Sequence, residues 1–361
     1  MTDPRIDIRQ MLTLTDDTGI FQHARLAAPD PNHGYCVDDN ARALIAAVRL
    51  HPHDHPEGQP GVEALVNRYL AFVAYAVDHE THRVRNFMGF DRRWLETVGS
   101  NDSQGRTLWS LAIAAHEAPL SHQRELAGIV FLEALPATQT LDSLRTWAFL
   151  LLALDAWLQT PQGQKDAAAR NRMARHADQL AQVYQANHTA DWPWWEATVT
   201  YDNARLPLAM LQAGQRFDRD DYTAIGLTAL DWLLRIQTHA PTDHLSVIGN
   251  DGWYRRSGDT DTPTAARFDQ QPLEAAALID ACAMAYHVTR DRAWVDHAGR
   301  CLAWFHGEND LQAPLIHPET GGCRDGLTPT GVNQNQGAES VLSYIMSCQT
   351  MRLLSQSSAA E

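Results

Sequence analysis

Six short polar words, each running directly into a helix of small and aliphatic residues, constrain this chain more than any other feature. They are "DDNAR" (38–42), "NDSQGR" (101–106), "DSLR" (142–145), "YDNAR" (201–205), "FDQQPLE" (268–274) and "NQNQGAE" (333–339). The segments that follow them, such as "ARALIAAVRL" and "QPLEAAALIDACAMAYHV", carry Ala, Leu and other small residues on several faces, as buried helices do. A second class of helix lies between them. In "VEALVNRYLAFVAYAV", Val62, Leu65, Val66, Tyr69, Leu70 and Val73 recur at the spacing of one apolar stripe, with polar residues opposite. With the short "RIDIRQML" at the start, six amphipathic helices alternate with six buried ones. Helical hairpins of roughly 40 to 65 residues form a repeat architecture, and closing six of them into a ring gives a single all-α domain, an (α/α)6 toroid, over 1–361.

Connection lengths sort the two ends of such a ring. Inner-to-outer links are short: "EAPLSH" (117–122), "QAGQRFDRD" (212–220) and "TRD" (289–291). Outer-to-inner links are long, at about 79–101, 187–202, 238–269 and 307–335, and they fall on the same end as the polar words. Long loops on a compact domain carry function, so that end is the expected site.

Asp, Asn and Ser before a helix are good caps for the first-turn N–H groups, and capping accounts for part of each word. It does not account for Arg42, Arg106, Arg145 and Arg205, whose guanidinium groups on inner helices must face the mouth or find partners. The long loops add Trp94, Trp192, Trp194, Trp195, Trp253 and Tyr254. Aromatic faces beside carboxylates, amides and arginines suit a sugar, stacking on its C–H face and sharing its hydroxyls. The opposing reading is that these rings seal loops onto the barrel.

Glycoside cleavage needs two carboxyl groups across the bond. The candidates are Asp38, Asp39, Asp102, Glu196, Asp202, Asp269, Glu274, Asp325 and Glu339. Asp39, Asp102, Glu196 and Asp202 are expected to carry the chemistry, Glu196 because two tryptophans precede it and an apolar wall raises a carboxyl's pKa. Asp38, Arg42, Arg106, Arg145, Trp194, Trp195, Tyr201, Arg205, Trp253, Tyr254, Asp269, Gln270, Gln271, Glu274, Asp325 and Glu339 are expected to hold the sugar.

Other chemistries find less support. Lys and Arg number 29 against 44 Asp and Glu, a net charge of −15 that disfavours nucleic acid or an anionic membrane as partner. "HPHDH" (51–55) has the look of a metal cluster but falls in an inner-to-outer loop, where it reads as solvated surface. Five cysteines without a CxxC pair, and no apolar signal segment, read as reduced thiols of a cytoplasmic protein. Cys36 and Cys323 lie near the polar words and are expected to pack there rather than to attack. No metal or organic cofactor is implied. A sugar epimerase or isomerase is the alternative enzyme, but it uses histidines, and only His23, His33 and His317 lie near the rich end. A non-catalytic carbohydrate-binding module needs fewer carboxylates.

The ordered set "TDDTGIFQHA", "HGYCVDDNARAL", "GSNDSQGRTLW", "LRTWAF", "WPWWEATVTYDNARLP", "IGNDGWYRR", "FDQQPLEA" and "NQNQGAES" resembles a bacterial family of six-hairpin glycosidase-like proteins. These are often labelled as glycosyltransferase-associated and are found near β-mannoside phosphorylases. The resemblance spans residues 10 to 345 and implies the (α/α)6 fold and a substrate that contains mannose. No nucleotide-binding α/β half accompanies it, so transferase activity is not expected. The Asp38-Asp39 pair is also similar to adjacent aspartates of the α-1,6-mannanase family. The sequence thus leads to a glycoside hydrolase acting on an oligosaccharide.

Overall fold

The computed structural model describes residues 6–256 and 265–359. Its inner helices are α2 (Val37–Val48), α4 (Asn101–Glu117), α6 (Leu144–Trp157), α8 (Arg205–Phe217), α10 (Pro272–Thr289) and α12 (Ala338–Ala359). The outer ones are α1 (Arg9–Thr13), α3 (Gln59–Ala76), α5 (Ser121–Ala134), α7 (Ala167–Asn187), α9 (Asp220–Ile236) and α11 (Ala293–Phe305). Each inner helix packs on the next, and α12 packs back on α2, so the six close into a ring. The sixth hairpin is assembled from both parts of the chain, with the short α1 resting on α12. The alternation expected from periodicity is therefore the observed architecture.

Burial explains the two compositions. In α4 every residue from Asp102 to Ala115 is buried, so each face carries side chains that are apolar, small or hydrogen-bonded. Gly105 marks the closest approach: a Cβ there would lie 2.9 Å from Phe149 Cβ on α6. Outer helices bury one stripe only, and in α3 it is the one read from the sequence. Rings tie the layers together, as where Phe131 of α5 stacks on Trp157 of α6 at 4.8 Å.

Four two-stranded ribbons stiffen the long loops. They pair β1 (Ala24–Arg25) with β2 (Ala28–Pro29), β3 (Tyr35–Cys36) with β4 (Phe87–Met88), β5 (Thr198–Val199) with β6 (Tyr254–Arg255), and β7 (Leu327–Thr328) with β8 (Gly331–Val332). All lie on the end where the inner helices begin. On the other end α8 runs on through Phe217, so its link to α9 shrinks to Asp218 and Arg219, with Asp218 in the left-handed conformation. Among the described residues no helix is long and apolar enough to cross a membrane.

The "HPHDH" loop does lie on the opposite end, but it is not all solvated. Asp54 is fully buried and grips Arg352 of α12 with both oxygens, at 2.8 and 2.9 Å, while accepting the Ile6 and His51 N–H groups. His55 is buried too. The sequence reading missed this because its partner is 298 residues away. Removing one member of a buried pair strands the other charge, so Asp54→Ala is expected to cost about 3–5 kcal/mol, read by urea unfolding.

Candidate functional site

The polar words do less capping than expected. Ser100 and Ser143 cap α4 and α6 through their hydroxyl oxygens. Asp38 and Asp39 instead sit inside the first turn of α2, and Cys36, at its cap position, makes no side-chain cap bond. What the recurring Asp-Asn-Ala-Arg builds is an ion pair one turn long. Asp39 meets Arg42 at 3.1 Å, and Asp202 meets Arg205 at 3.1 Å.

The second arm of each arginine reaches a different helix. Arg42 goes to Glu339 at the start of α12, at 2.8 Å, and Arg205 to Asp280 on α10, at 2.6 Å. Arg106 joins the two words, contacting Asp38 at 3.2 Å and Asp202 at 3.0 Å. Arg145 donates to the Tyr201 carbonyl at 2.6 Å, to Glu196 at 2.8 Å and to Asn203 Oδ1 at 3.2 Å. Rings complete three of these environments: Arg106 lies over Phe149, Arg205 over Trp109 and Arg145 over Tyr201, at 4.7, 5.1 and 5.1 Å. A delocalised guanidinium tolerates burial when its edge is hydrogen-bonded and its face is stacked.

Above this layer lies a cavity of about 330 Å³, straddling the junction of α12 and α2. Its wall carries four carboxyl groups, Asp38, Asp39, Asp325 and Glu339, with Arg42, Arg106, Gln271 and His23. Asp38 is held by the Asn86 amide and the Ser103 hydroxyl, each at 3.1 Å. Asp325 accepts the Gly337 N–H at 2.8 Å at the start of α12. Helix beginnings converge here, and their positive ends favour negative charge.

The carboxyls are not equivalent. Burial pushes Asp39 up to about 8; Arg42 pulls the other way, while Glu339 and Asp38 add repulsion. Burial also acts to raise Asp202, but the guanidinium groups of Arg205 and Arg106 outweigh it and hold that carboxyl below its ordinary value. Glu274 is pushed up to about 7 by burial and by Asp202. Burial likewise raises Asp325.

Not every expected residue reaches the cavity. Asp202 lies beneath it, buried between its two arginines. Glu274 is also buried and accepts the N–H groups of Asp202 and Asn203, fixing the start of α8. Asp102 accepts from Ser143, Thr146 and Tyr201, and with Tyr201, Arg145 and Glu196 it forms a separate cluster on the same end. Gln270 is a fully buried brace that bonds Asp310 and Trp304. Asp269 is exposed in the preceding loop and does not line the cavity.

The tryptophans are where the sequence reading fails. Trp192, Trp194 and Trp195 are buried, at 3%, 0% and 1% exposure, and offer no face to a sugar. Trp192 and Trp194 pack on Trp232 of α9, and Trp195 packs on Tyr184 of α7, so this run anchors its loop to the outer layer. Tyr254 stacks on Trp192 at 5.2 Å. Trp94 leans on Phe72 and Tyr75 of α3. Trp253 is exposed, yet it is not on the cavity wall. Three tryptophans within four residues are too apolar for a solvated loop, and that composition was the available signal. Conversely, Gln22, Asn86 and Phe87 line the cavity and were not singled out.

A larger cavity of about 710 Å³ opens at the other end, where the inner helices finish. Its charged groups are largely spoken for, Arg49 by Glu117 and Asp280 by Arg205. The carboxyl-rich mouth, not the larger space, is therefore the candidate site. Among the described residues no group of three or more His, Cys, Asp or Glu could hold a metal ion.

Comparison with known protein families and with curated protein sequences finds no match. Solved structures do share the fold. A sugar epimerase from a ruminal bacterium superposes with a TM-score of 0.71 at 11% identity, covering 97% of this chain and 95% of that one. The cellobiose 2-epimerase of Bacillus thermoamylovorans gives 0.69 at 10% identity, covering 98% and 96%. The GH76 α-mannanase of Bacteroides thetaiotaomicron gives 0.58 at 13%, covering 88% and 86%. The fold is thus that of the six-hairpin (α/α)6 enzymes, which include both epimerases and hydrolases.

The burial of the tryptophan run yields a test. Trp194→Ala is expected to cost about 3–5 kcal/mol, read by thermal or urea unfolding.

Proposed function

We propose that the chain is a glycoside hydrolase that cleaves an oligosaccharide at the mouth of the barrel, by carboxyl acid/base chemistry. One observation carries this reading: Asp39, a carboxyl on the cavity wall pushed up to about 8, shares the guanidinium of Arg42 with a second carboxyl, Glu339. A carboxyl that holds its proton near neutral pH is what a leaving glycosidic oxygen requires. Asp39 gives that proton to the oxygen as the bond from the anomeric carbon breaks. Glu339, with 39% of its side chain exposed, takes a proton from the water whose oxygen bonds to that carbon. Arg42 then stabilises the new Asp39 carboxylate. Asp38, Arg106, Gln271 and Asp325 share the sugar hydroxyls, and Asp202 and Arg205 support them from below. The Asp102–Tyr201–Arg145–Glu196 cluster would meet further sugar units. A mannose-containing substrate is what the sequence resemblance implies, and the shared fold of an α-mannanase is consistent with it.

One feature favours a second reading, a sugar epimerase. His23 stands on the same cavity wall, as a proton-moving histidine would. Among the described residues only this one histidine lines the cavity, however, against four carboxyls.

Incubation with manno- and gluco-oligosaccharides, followed by chromatography and anomer-resolved NMR, separates the two. New reducing ends mean hydrolysis, an isomerised free sugar means the epimerase, and unchanged but bound sugar means a carbohydrate-binding module. Asp39→Asn and Glu339→Gln are each expected to lower turnover at least about 100-fold. A greater loss in Glu196→Gln than in Asp39→Asn would move the acid to the Arg145 cluster. The acid works only while protonated, so wild-type kcat/KM is expected to fall as pH rises through about 8. Asp39→Asn should abolish that limb of the profile.

A further inference from the structure

With the tryptophans removed from the site, Phe87 is the large apolar ring on the cavity wall among the described residues. Phe87 is 38% exposed, and among the described residues its ring pairs with no other. Its neighbours differ: Phe90 packs against Phe21, and Trp94 against Phe72 and Tyr75. Single exposed apolar residues are ordinary on a protein surface, but this one faces a cavity of carboxyls and amides, where its open face is available to a ligand.

Its placement is rigid. Phe87 lies on β4 directly across from Cys36 of β3, so the two side chains share one face of the ribbon, immediately before Asp38. Its N–H donates to Glu96 at 3.2 Å, and its carbonyl accepts from the Leu95 N–H at 2.9 Å. The adjoining Asn86 is tied to the same Glu96 oxygen at 2.7 Å and donates its amide to Asp38 at 3.1 Å. Ring and carboxyl are thus tied to one short segment through Asn86.

We infer that Phe87 is the stacking platform of the site, and that it takes a pyranose ring presenting an unbroken C–H face. The ring lies flat on the phenyl group while its hydroxyl edge turns toward Asp38 and Arg106. Such a surface favours pyranosides over open-chain sugars, because the phenyl face contributes only where a face of C–H groups meets it. This rests on the proposed carbohydrate site.

The test compares Phe87→Ala, Phe87→Tyr and, as a control, Leu95→Ala. Leu95 is 67% exposed on the same loop but does not line the cavity. Kinetics are measured on a manno- or gluco-oligosaccharide that the wild type cleaves, and affinity is measured by calorimetry with the same sugar. Phe87→Ala is expected to raise KM and Kd roughly five- to tenfold with kcat changed less, Phe87→Tyr to restore both, and Leu95→Ala to match wild type. Thermal melts should show all three variants fully folded at the assay temperature. Wild-type KM and Kd in Phe87→Ala would overturn the platform and leave the hydrolase reading standing. Sugar binding without cleavage in the wild type would overturn the hydrolase reading, while the Kd comparison still decides on Phe87. A wild type that neither binds nor cleaves any of these sugars would overturn both.

Discussion

Arg106 is the contact on which the interior of this barrel depends. A guanidinium cannot give up its charge, and an apolar ring of helices offers it no water. It is accommodated because Asp38 and Asp202, from two different polar words, take hold of its two arms, while Phe149 covers its face. Arg205 repeats it with Asp202, Asp280 and Trp109, while among the described residues Arg42 relies on two carboxyls without a ring and Arg145 on Tyr201 and a single carboxylate, Glu196. The result is a layer of charge laid across an otherwise aliphatic core. That layer forms the floor of the mouth and separates it from the cavity at the far end.

The recurring Asp-Asn-Ala-Arg shows how one local motif acquires two characters. In both copies the aspartate bonds an arginine three residues on, at the same distance. Asp202 has a second guanidinium beside it and is held as a carboxylate. Asp39 bonds one arginine, which it shares with Glu339, and the repulsion from Glu339 and Asp38 outranks the weaker pull of Arg106. The difference lies not in the word but in which helices stand opposite, and only the closed ring decides that.

Much of the architecture was legible because helix periodicity is a local property. The stripe on α3 and the all-round apolar faces of α4 and α10 could be read without knowing any partner. Connection lengths then told which end would be rich in loops. The individual roles were less accessible. A sequence does not distinguish an indole that binds sugar from one that anchors a loop, and Trp194 and Trp195 were misplaced for that reason. Nor does it reveal that Glu274 would cap a different helix, or that Asp54 would find Arg352. Phe87 was passed over because a lone phenylalanine in a loop carries no pattern; only the neighbours it lacks make it visible.

The cavity straddles the one junction of the ring that is not local in sequence. Gln349 of α12 bonds Ala46 of α2 across 303 residues, whereas the other inner neighbours are joined by a single intervening outer helix and its loops. Closing so long a loop is entropically the most demanding step, and hairpins assemble far more readily than the seam between them. Asp39 and Arg42 arrive on one side of that seam and Glu339 and Asp325 on the other. An unclosed arc of hairpins, however well formed, would have the helices of this protein but no mouth, so the site exists only where that seam is closed.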